Sequence, residues 1–465
     1  QSGGRHVRND EPGIQRKLER RRRVEHRSVR TARRRLGPQR PADECLRQQA
    51  HRFAVGFHRK LRKKRSLQSQ LDEIRGLGPK RRAALLRGLG SDETLQILSH
   101  GPWPPKPAFD AGNAQSGDPH AIALGQRLFF DKRLSGNGQM ACATCHQPAK
   151  AFADAKARSA ALKASGVATL DRNAPSLWNA VHERWYGWDG AADSLWSQAI
   201  RPLIDPREMG ASPGHVARVI ASDPQLSCRW QRLFGATPAS QDSDATTLVQ
   251  AGKAIGAFNA TLVSGPTPFD TFREALARGD AGSFYIADIL RGLDDAAMSP
   301  AAQRGMELFF SERAECYHCH AGPNFSTSFR SATSEAGPPD FQNNGLYNLD
   351  ATGAYPRGNG GLYEFTGDPR DQGKFRVPSL RNIAVTAPYM HDGSLATLAE
   401  VVDHYAAGGT VTADGPLAGD GRENPNKSPL VRPFELSPEE RADLVAFLES
   451  LTDEQFLRDA RFGPP

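Results

Sequence analysis

The chain has 465 residues, 38% hydrophobic and 24% charged, with a formal net charge of +8, so two or three domains are expected rather than one core. Its mean hydropathy is −0.56 and no apolar run reaches the roughly 18 residues a membrane helix needs, so no transmembrane segment is expected. The charge is divided: residues 1–100 hold 27 Lys and Arg against 10 Asp and Glu, and the remainder 33 against 42, a basic arm on an acidic body.

Residues 1–44, with Arg20 to Arg23 and Arg33 to Arg35 among almost no apolar partners, are predicted to be a disordered arm. Residues 45–100 are predicted to be a small helical unit. Within it His51-Arg52-Phe53, His58-Arg59-Lys60, Leu71-Asp72-Glu73-Ile74 and Gly76-Leu77-Gly78-Pro79-Lys80-Arg81 resemble the C-terminal region of UvrC, the nuclease subunit of excision repair. That resemblance implies a helix-hairpin-helix turn whose amides approach a DNA phosphate. The arm is nonetheless expected to be a fusion remnant or a misplaced start without part in the chemistry, and DNA is not expected as a partner.

After the Pro102–Pro107 linker an internal repeat begins. Ala123-Leu124-Gly125-Gln126-Arg127-Leu128-Phe129-Phe130 is echoed by Gln303-Arg304-Gly305-Met306-Glu307-Leu308-Phe309-Phe310. Asp118-Pro119 and Ser299-Pro300 are helix-start signatures before the two copies. Ser437-Pro438-Glu439-Glu440 predicts a capping box on a last helix. Sheet-type alternation is scarce, so the fold expected is mainly α, with two domains in tandem at residues 101–290 and 291–465.

Each repeat leads into a cysteine motif, Cys142-Ala143-Thr144-Cys145-His146 and Cys316-Tyr317-His318-Cys319-His320. Cys-x-x-Cys-His is the signature of covalent haem c, two thioethers anchoring the porphyrin and the histidine reaching the iron. Zinc is the rival for Cys316, Cys319 and the nearby histidines, but the full motif occurs in both copies. Two covalently bound haems c are therefore expected, one in each of two tandem cytochrome c-like haem domains, and Cys45 and Cys228 are read as inert thiols. Haem attachment of this kind takes place outside the cytoplasm, so a periplasmic location is expected, although no signal peptide is visible.

From Pro102 to Leu451 the chain resembles the bacterial dihaem cytochrome c peroxidases and their relatives MauG and MbnH. The resemblance rests on Arg172-Asn173-Ala174-Pro175-Ser176, Trp188-Asp189-Gly190-Ala191-Ala192, Gln198 through Met209, Val377-Pro378-Ser379-Leu380-Arg381-Asn382 and Thr386-Ala387-Pro388-Tyr389-Met390-His391-Asp392-Gly393. Asn344 to Asn348 and the segment ending His404 to Gly409 look closer to MbnH-type enzymes. The resemblance implies His146 as ligand of a first, peroxide-reacting haem, with Gln198, Pro202 and Glu208 over its open face. The detoxifying peroxidases close that iron with a histidine where this chain has Leu162; His182 could fill the gap, but a structural role is expected for it. At the second haem the resemblance implies His320 and, where those peroxidases have methionine, Tyr405, a hard oxygen donor that favours higher oxidation states. Met390 and Met298 are the rival ligands. Trp188 is implied as a bridge between the haems, and Asn173, Thr386 and Pro388 as oxygen ligands of one calcium ion.

The function this implies is a hydrogen-peroxide-dependent oxidoreductase of MauG/MbnH type, oxidising a partner protein, at a tryptophan, through an oxidised state shared by both haems. The alternative is peroxide reduction with electrons from a small cytochrome or copper protein. A purely electron-transferring cytochrome and a DNA-binding protein are further readings; the open pocket with Gln198 and Glu208 speaks against the first, and haem attachment outside the cytoplasm, where such a nuclease does not work, against the second.

Overall fold

The computed structural model describes residues 91–162, 165–238, 244–278, 298–333, 340–356 and 358–465. The basic arm, Cys45 and the helix-hairpin-helix-like stretch up to residue 90 lie outside the described residues. The helices are α1 (Ser91–Ser99), α2 (Pro119–Phe130), α3 (Cys142–Cys145), α4 (Leu195–Ile204), α5 (Pro213–Ser222), α6 (Pro224–Phe234), α7 (Asp244–Asn259) and α8 (Pro268–Arg278). They continue with α9 (Pro300–Phe309), α10 (Cys316–Cys319), α11 (Tyr363–Thr366), α12 (Leu398–Ala406) and α13 (Pro438–Glu449). The described strands form two antiparallel pairs of two residues each: β1 (Phe341–Gln342) with β2 (Phe375–Arg376), and β3 (Val411–Thr412) with β4 (Gly419–Asp420). The fold is mainly helical, as the sparse alternation predicts.

The helix starts lie where their residues place them. Asp118 accepts from the amides of His120 and Ala121 ahead of α2, and Ser299 accepts from Ala302 ahead of α9. Ser437 and Glu440 close a reciprocal capping box on α13. Each satisfies amides that a helix's first turn leaves open, about 1 kcal/mol per cap.

The repeated helices make the same crossing. At Gly125, α2 lies so close to α7 that a Cβ would stand 1.9 Å from the Ala254 carbonyl oxygen; at Gly305, α9 approaches α13 so that a Cβ would stand 1.9 Å from the Asp443 carbonyl oxygen. Only glycine lets two helix backbones approach so far. Each crossing sits in its own apolar core. The first gathers Leu128, Phe129, Phe152, Trp178, Ile255 and Phe258; the second gathers Phe269, Met306, Phe309, Phe325, Phe447 and Leu451. Side chains of this size contribute roughly 1.5–3 kcal/mol each when fully buried.

Residues 91–100, which the sequence reading joins to the preceding segment, pack in the second core: Ile97 and Leu98 are buried there. His100 Nε2 lies 2.9 Å from the carbonyl oxygen of His320, and Arg273 donates to the Leu98 carbonyl. Buried ion pairs brace the rest. Arg381 grips Asp270 through two bonds of 2.7 and 2.8 Å, and Glu183 meets Arg376 at 2.6 Å. Among the described residues no helix is long and apolar enough to cross a membrane.

Candidate active site

The two Cys-x-x-Cys-His motifs fold alike. In each, the cysteines span one helical turn, α3 or α10, and the following histidine is held by a phenylalanine carbonyl. His146 Nδ1 lies 2.9 Å from the Phe152 oxygen and His320 Nδ1 3.0 Å from the Phe325 oxygen. Both phenylalanines have positive φ, 55° and 50°, a conformation that a bulky residue adopts only under tertiary constraint. With Nδ1–H donated, each ring is fixed in the tautomer whose Nε2 lone pair is available to a metal. Burial holds His146 below its ordinary value and lowers His320 to about 4, so both are neutral, the ligating form.

One cavity of about 660 Å³ is lined by all four motif cysteines, His146, His320, Trp188, Gln198, Pro202, Glu208 and Tyr405. Burial pushes the thiols of Cys142 and Cys316 up to about 12 and those of Cys145 and Cys319 up to about 11. His318 turns toward Glu312 and Glu315, their ligand atoms within 4.8 Å of one another, not toward the cysteines as a zinc site would need. These features fit two covalently held haems. Cys228 does not line this cavity.

α4 and the first motif line the same cavity. Ser194 caps α4, Gln198 and Pro202 lie on it, and the loop after it returns with Met209 N–H donating to the Pro202 carbonyl at 3.0 Å. The Gln198 Oε1 is buried without a hydrogen-bond partner. Burial, with Asp205 adding to it, pushes the Glu208 carboxyl up to about 7, and Glu208 acts electrostatically on Cys142 and Cys145, so it belongs to their pocket. Leu162 is buried in the first core, its amide bonded to the Arg207 carbonyl at 2.6 Å. His182, also fully buried, packs between Trp103 at 5.1 Å and Phe329 at 6.0 Å, outside the cavity lining.

α12, capped by Thr397 and Glu400, lines the cavity together with the second motif. Burial pushes the Tyr405 phenol up to about 12; it bonds Asn344 and feels Cys316 and Cys319, which places it in the second pocket. Of its rivals, Met298 is buried in the second core and does not line the cavity. Met390 lines it, its sulfur 3.4 Å from Asn344 Nδ2.

Trp188 stands where the halves meet: its Nε1 donates to the Asn173 carbonyl at 2.9 Å and its carbonyl accepts from Arg376 N–H at 2.8 Å. Asn173, Thr386 and Pro388 line the same cavity, with Asn173 Nδ2 donating to the Lys156 carbonyl.

The repeat also runs further than the helix and the cysteine motif. Pro175-Ser176-Leu177 and Asn179 correspond at one constant offset to Pro378-Ser379-Leu380 and Asn382, with φ of 62° at Asn179 and 63° at Asn382. The bridges Tyr186–Ala192 and Tyr389–Leu395 follow at that offset, then α4 and α12. Trp188 thereby matches His391, and Pro202 matches Tyr405.

A protein-family comparison matches residues 119–278 to the family described as "Di-haem cytochrome c peroxidase". The methylamine utilization protein MauG of Methylorubrum extorquens is 34% identical over 336 residues, 72% of this chain and 79% of the relative. The chain belongs to the dihaem cytochrome c peroxidase family, in its MauG-like branch. The cytochrome c551 peroxidase of Nitrosomonas europaea is 30% identical over 71% of this chain and 80% of its own length. A solved MauG-like protein associated with microbial copper homeostasis superposes with a TM-score of 0.66 at 39% identity, covering 78% of this chain and 99% of that one. As a dihaem peroxidase-type oxidoreductase the chain takes two c-type haems, hydrogen peroxide and a protein partner.

Proposed function

We propose that this dihaem peroxidase is a periplasmic oxidase of the MauG/MbnH type, using hydrogen peroxide to take electrons from a tryptophan of a docked protein. The observation that carries the reading is the pair of groups above the two motifs: Tyr405 in the second pocket and, above the first, Pro202 with Gln198 and Glu208 and no ligating side chain where Leu162 is buried. When bound, the two haems supply the redox chemistry, in which one peroxide takes two electrons and two protons and leaves as two waters.

The chain's part is proton handling and positioning. Glu208, its carboxyl pushed up to about 7, can hold a proton and release it at neutral pH. A carboxylate there takes the proton of one peroxide oxygen and returns it to the other as it departs. Gln198 Oε1, buried and unpartnered, accepts a hydrogen bond from bound peroxide. Trp188, between the halves, provides an oxidisable ring for electrons passing between the haems. Asn173, Thr386 and Pro388 supply oxygens for a calcium ion, a hard cation, whose removal by a chelator is expected to disturb both haem spectra.

The test is spectroscopy of the haem-loaded ferric enzyme, resting and after one equivalent of peroxide. One high-spin and one low-spin haem, with a long-lived product formed without prior reduction, are expected. Consumption of peroxide only after prior reduction would return the assignment to the alternative, a peroxidase fed by a small cytochrome or copper protein.

A further inference from the structure

Arg172 lines the cavity, yet nothing in the proton chemistry uses it. Its side chain is mostly buried, and Nε and Nη1 have no hydrogen-bond partner. Only Nη2 reaches a carboxylate, Glu364 Oε1 at 3.4 Å, and that side chain is 42% exposed. The other mostly buried arginines of the cavity are satisfied by carboxylates of the chain, Arg376 by Glu183 and Arg381 by Asp270. Leaving a guanidinium's donors dry is costly, so the wall at Arg172 is incomplete without an acceptor from inside the cavity.

The guanidinium is also held in place. Its Cζ lies 5.1 Å from the centre of the Phe375 ring. Phe375 stacks in turn on His391, centroids 3.7 Å apart and planes 15° from parallel, and His391 Nε2 lies 2.7 Å from Asn359 Oδ1. A guanidinium stacked on an aromatic face in the wall of a cavity, with two buried donors unsatisfied, is suited to receive a carboxylate. Haem c offers one: its thioethers occupy one edge of the porphyrin, and its only anionic groups, two propionates, project from the opposite edge.

We propose that Arg172 anchors a propionate of one of the two haems, as a positioning residue that sets the tilt and the potential of that haem. The proposal rests on the presence of the haems, which family membership establishes, and is independent of which protein donates the electrons. A nearby positive charge stabilises the reduced, less positive iron. Arg172→Gln is therefore expected to lower the midpoint potential of one haem, leave the other unchanged, and shift that haem's propionate-bending band in resonance Raman spectra. Arg172→Lys, which keeps the charge and loses the planar donors, is expected to restore the potential but not the band. If the glutamine variant keeps both haems and superimposes on wild type in both measurements, the proposal is overturned. A structure of the haem-loaded wild type decides independently of any variant: Arg172 Nε or Nη1 within hydrogen-bond distance of a propionate oxygen supports it, and a propionate turned elsewhere ends it. Failure of the peroxide reading would leave both results standing.

Discussion

The two halves present a cofactor with the same parts and differ in what stands over it. In each, a one-turn cysteine helix is followed by a histidine whose Nδ1 is held by a phenylalanine carbonyl. In each, a bridge of Tyr186 with Ala192, or Tyr389 with Leu395, leads into a capped helix over the cavity. At matching positions on those helices one half has Pro202 and the other Tyr405. Proline has nothing to offer an iron, and tyrosine has a phenol oxygen. On the proposed assignment, a duplicated scaffold has divided its labour through a side chain rather than through a change of architecture, leaving one iron open to peroxide and closing the other.

The strongest way to break this comparison is to make the halves alike. Pro202→Tyr puts the second half's group into the first pocket and restores the N–H that proline lacks toward the Gln198 carbonyl one turn back. It is expected to convert the resting high-spin haem to low spin and abolish the reaction with peroxide, with both haems still attached. Electron paramagnetic resonance and stopped-flow absorbance read the two effects. An unchanged high-spin signal in a folded variant would show that α4 and α12 do not aim this position alike.

Next comes the group that the second half lacks. Glu208→Gln is expected to slow the peroxide step by about 10²–10⁴-fold, the usual range for a lost acid–base group, without changing the resting spectrum. Because the wild-type carboxyl lies at about 7, the wild-type rate should rise with pH through neutrality as the base form appears, and the variant's should not. The sign for stability is opposite. Between the ordinary carboxyl value and about 7 the folded chain holds a proton that the unfolded chain has lost, so wild type loses stability as pH rises through that window. The glutamine variant, titrated by denaturant at several pH values, should lack that loss.

Smaller in rate and larger in spectrum is Tyr405→Phe. Peroxide should still react at the first site within a fewfold of the wild-type rate, but the low-spin signal should change and the long-lived product should shorten. A low-spin signal identical to wild type would remove Tyr405 from the second iron.

What could be read from the sequence was local. The cysteine motifs, the proline-led helix starts and the Ser437–Glu440 capping box are short patterns whose chemistry is complete within a few residues, and each folds where it was expected. The match of Pro202 with Tyr405 was also present, in the shared Pro-Ser-Leu-x-Asn of residues 175–179 and 378–382. It escapes notice because the two helices that follow have little sequence in common. The carbonyls that orient His146 and His320 could not be read at all. Nothing marks Phe152 or Phe325 as left-handed, because packing, against local preference, imposes that conformation. Nor does a sequence show that Arg172 lacks partners, since that depends on Glu364, Phe375 and the cavity, all remote along the chain.

The comparison is tested most quietly at its foundation, the two helix crossings. Gly125→Ala and Gly305→Ala each place a methyl 1.9 Å from a carbonyl oxygen of the facing helix. On propensity alone, alanine inside a helix would stabilise by up to about 1 kcal/mol; forcing the helices apart costs about 1–3 kcal/mol, so the clash should win in both. Denaturant titration is expected to show destabilisation of similar size in the two variants, and near-additivity in the double variant, because the crossings lie in separate cores. A large cost at one glycine and none at the other would mean that the duplicated helices no longer do the same job, and that the halves differ in their packing as well as above their irons.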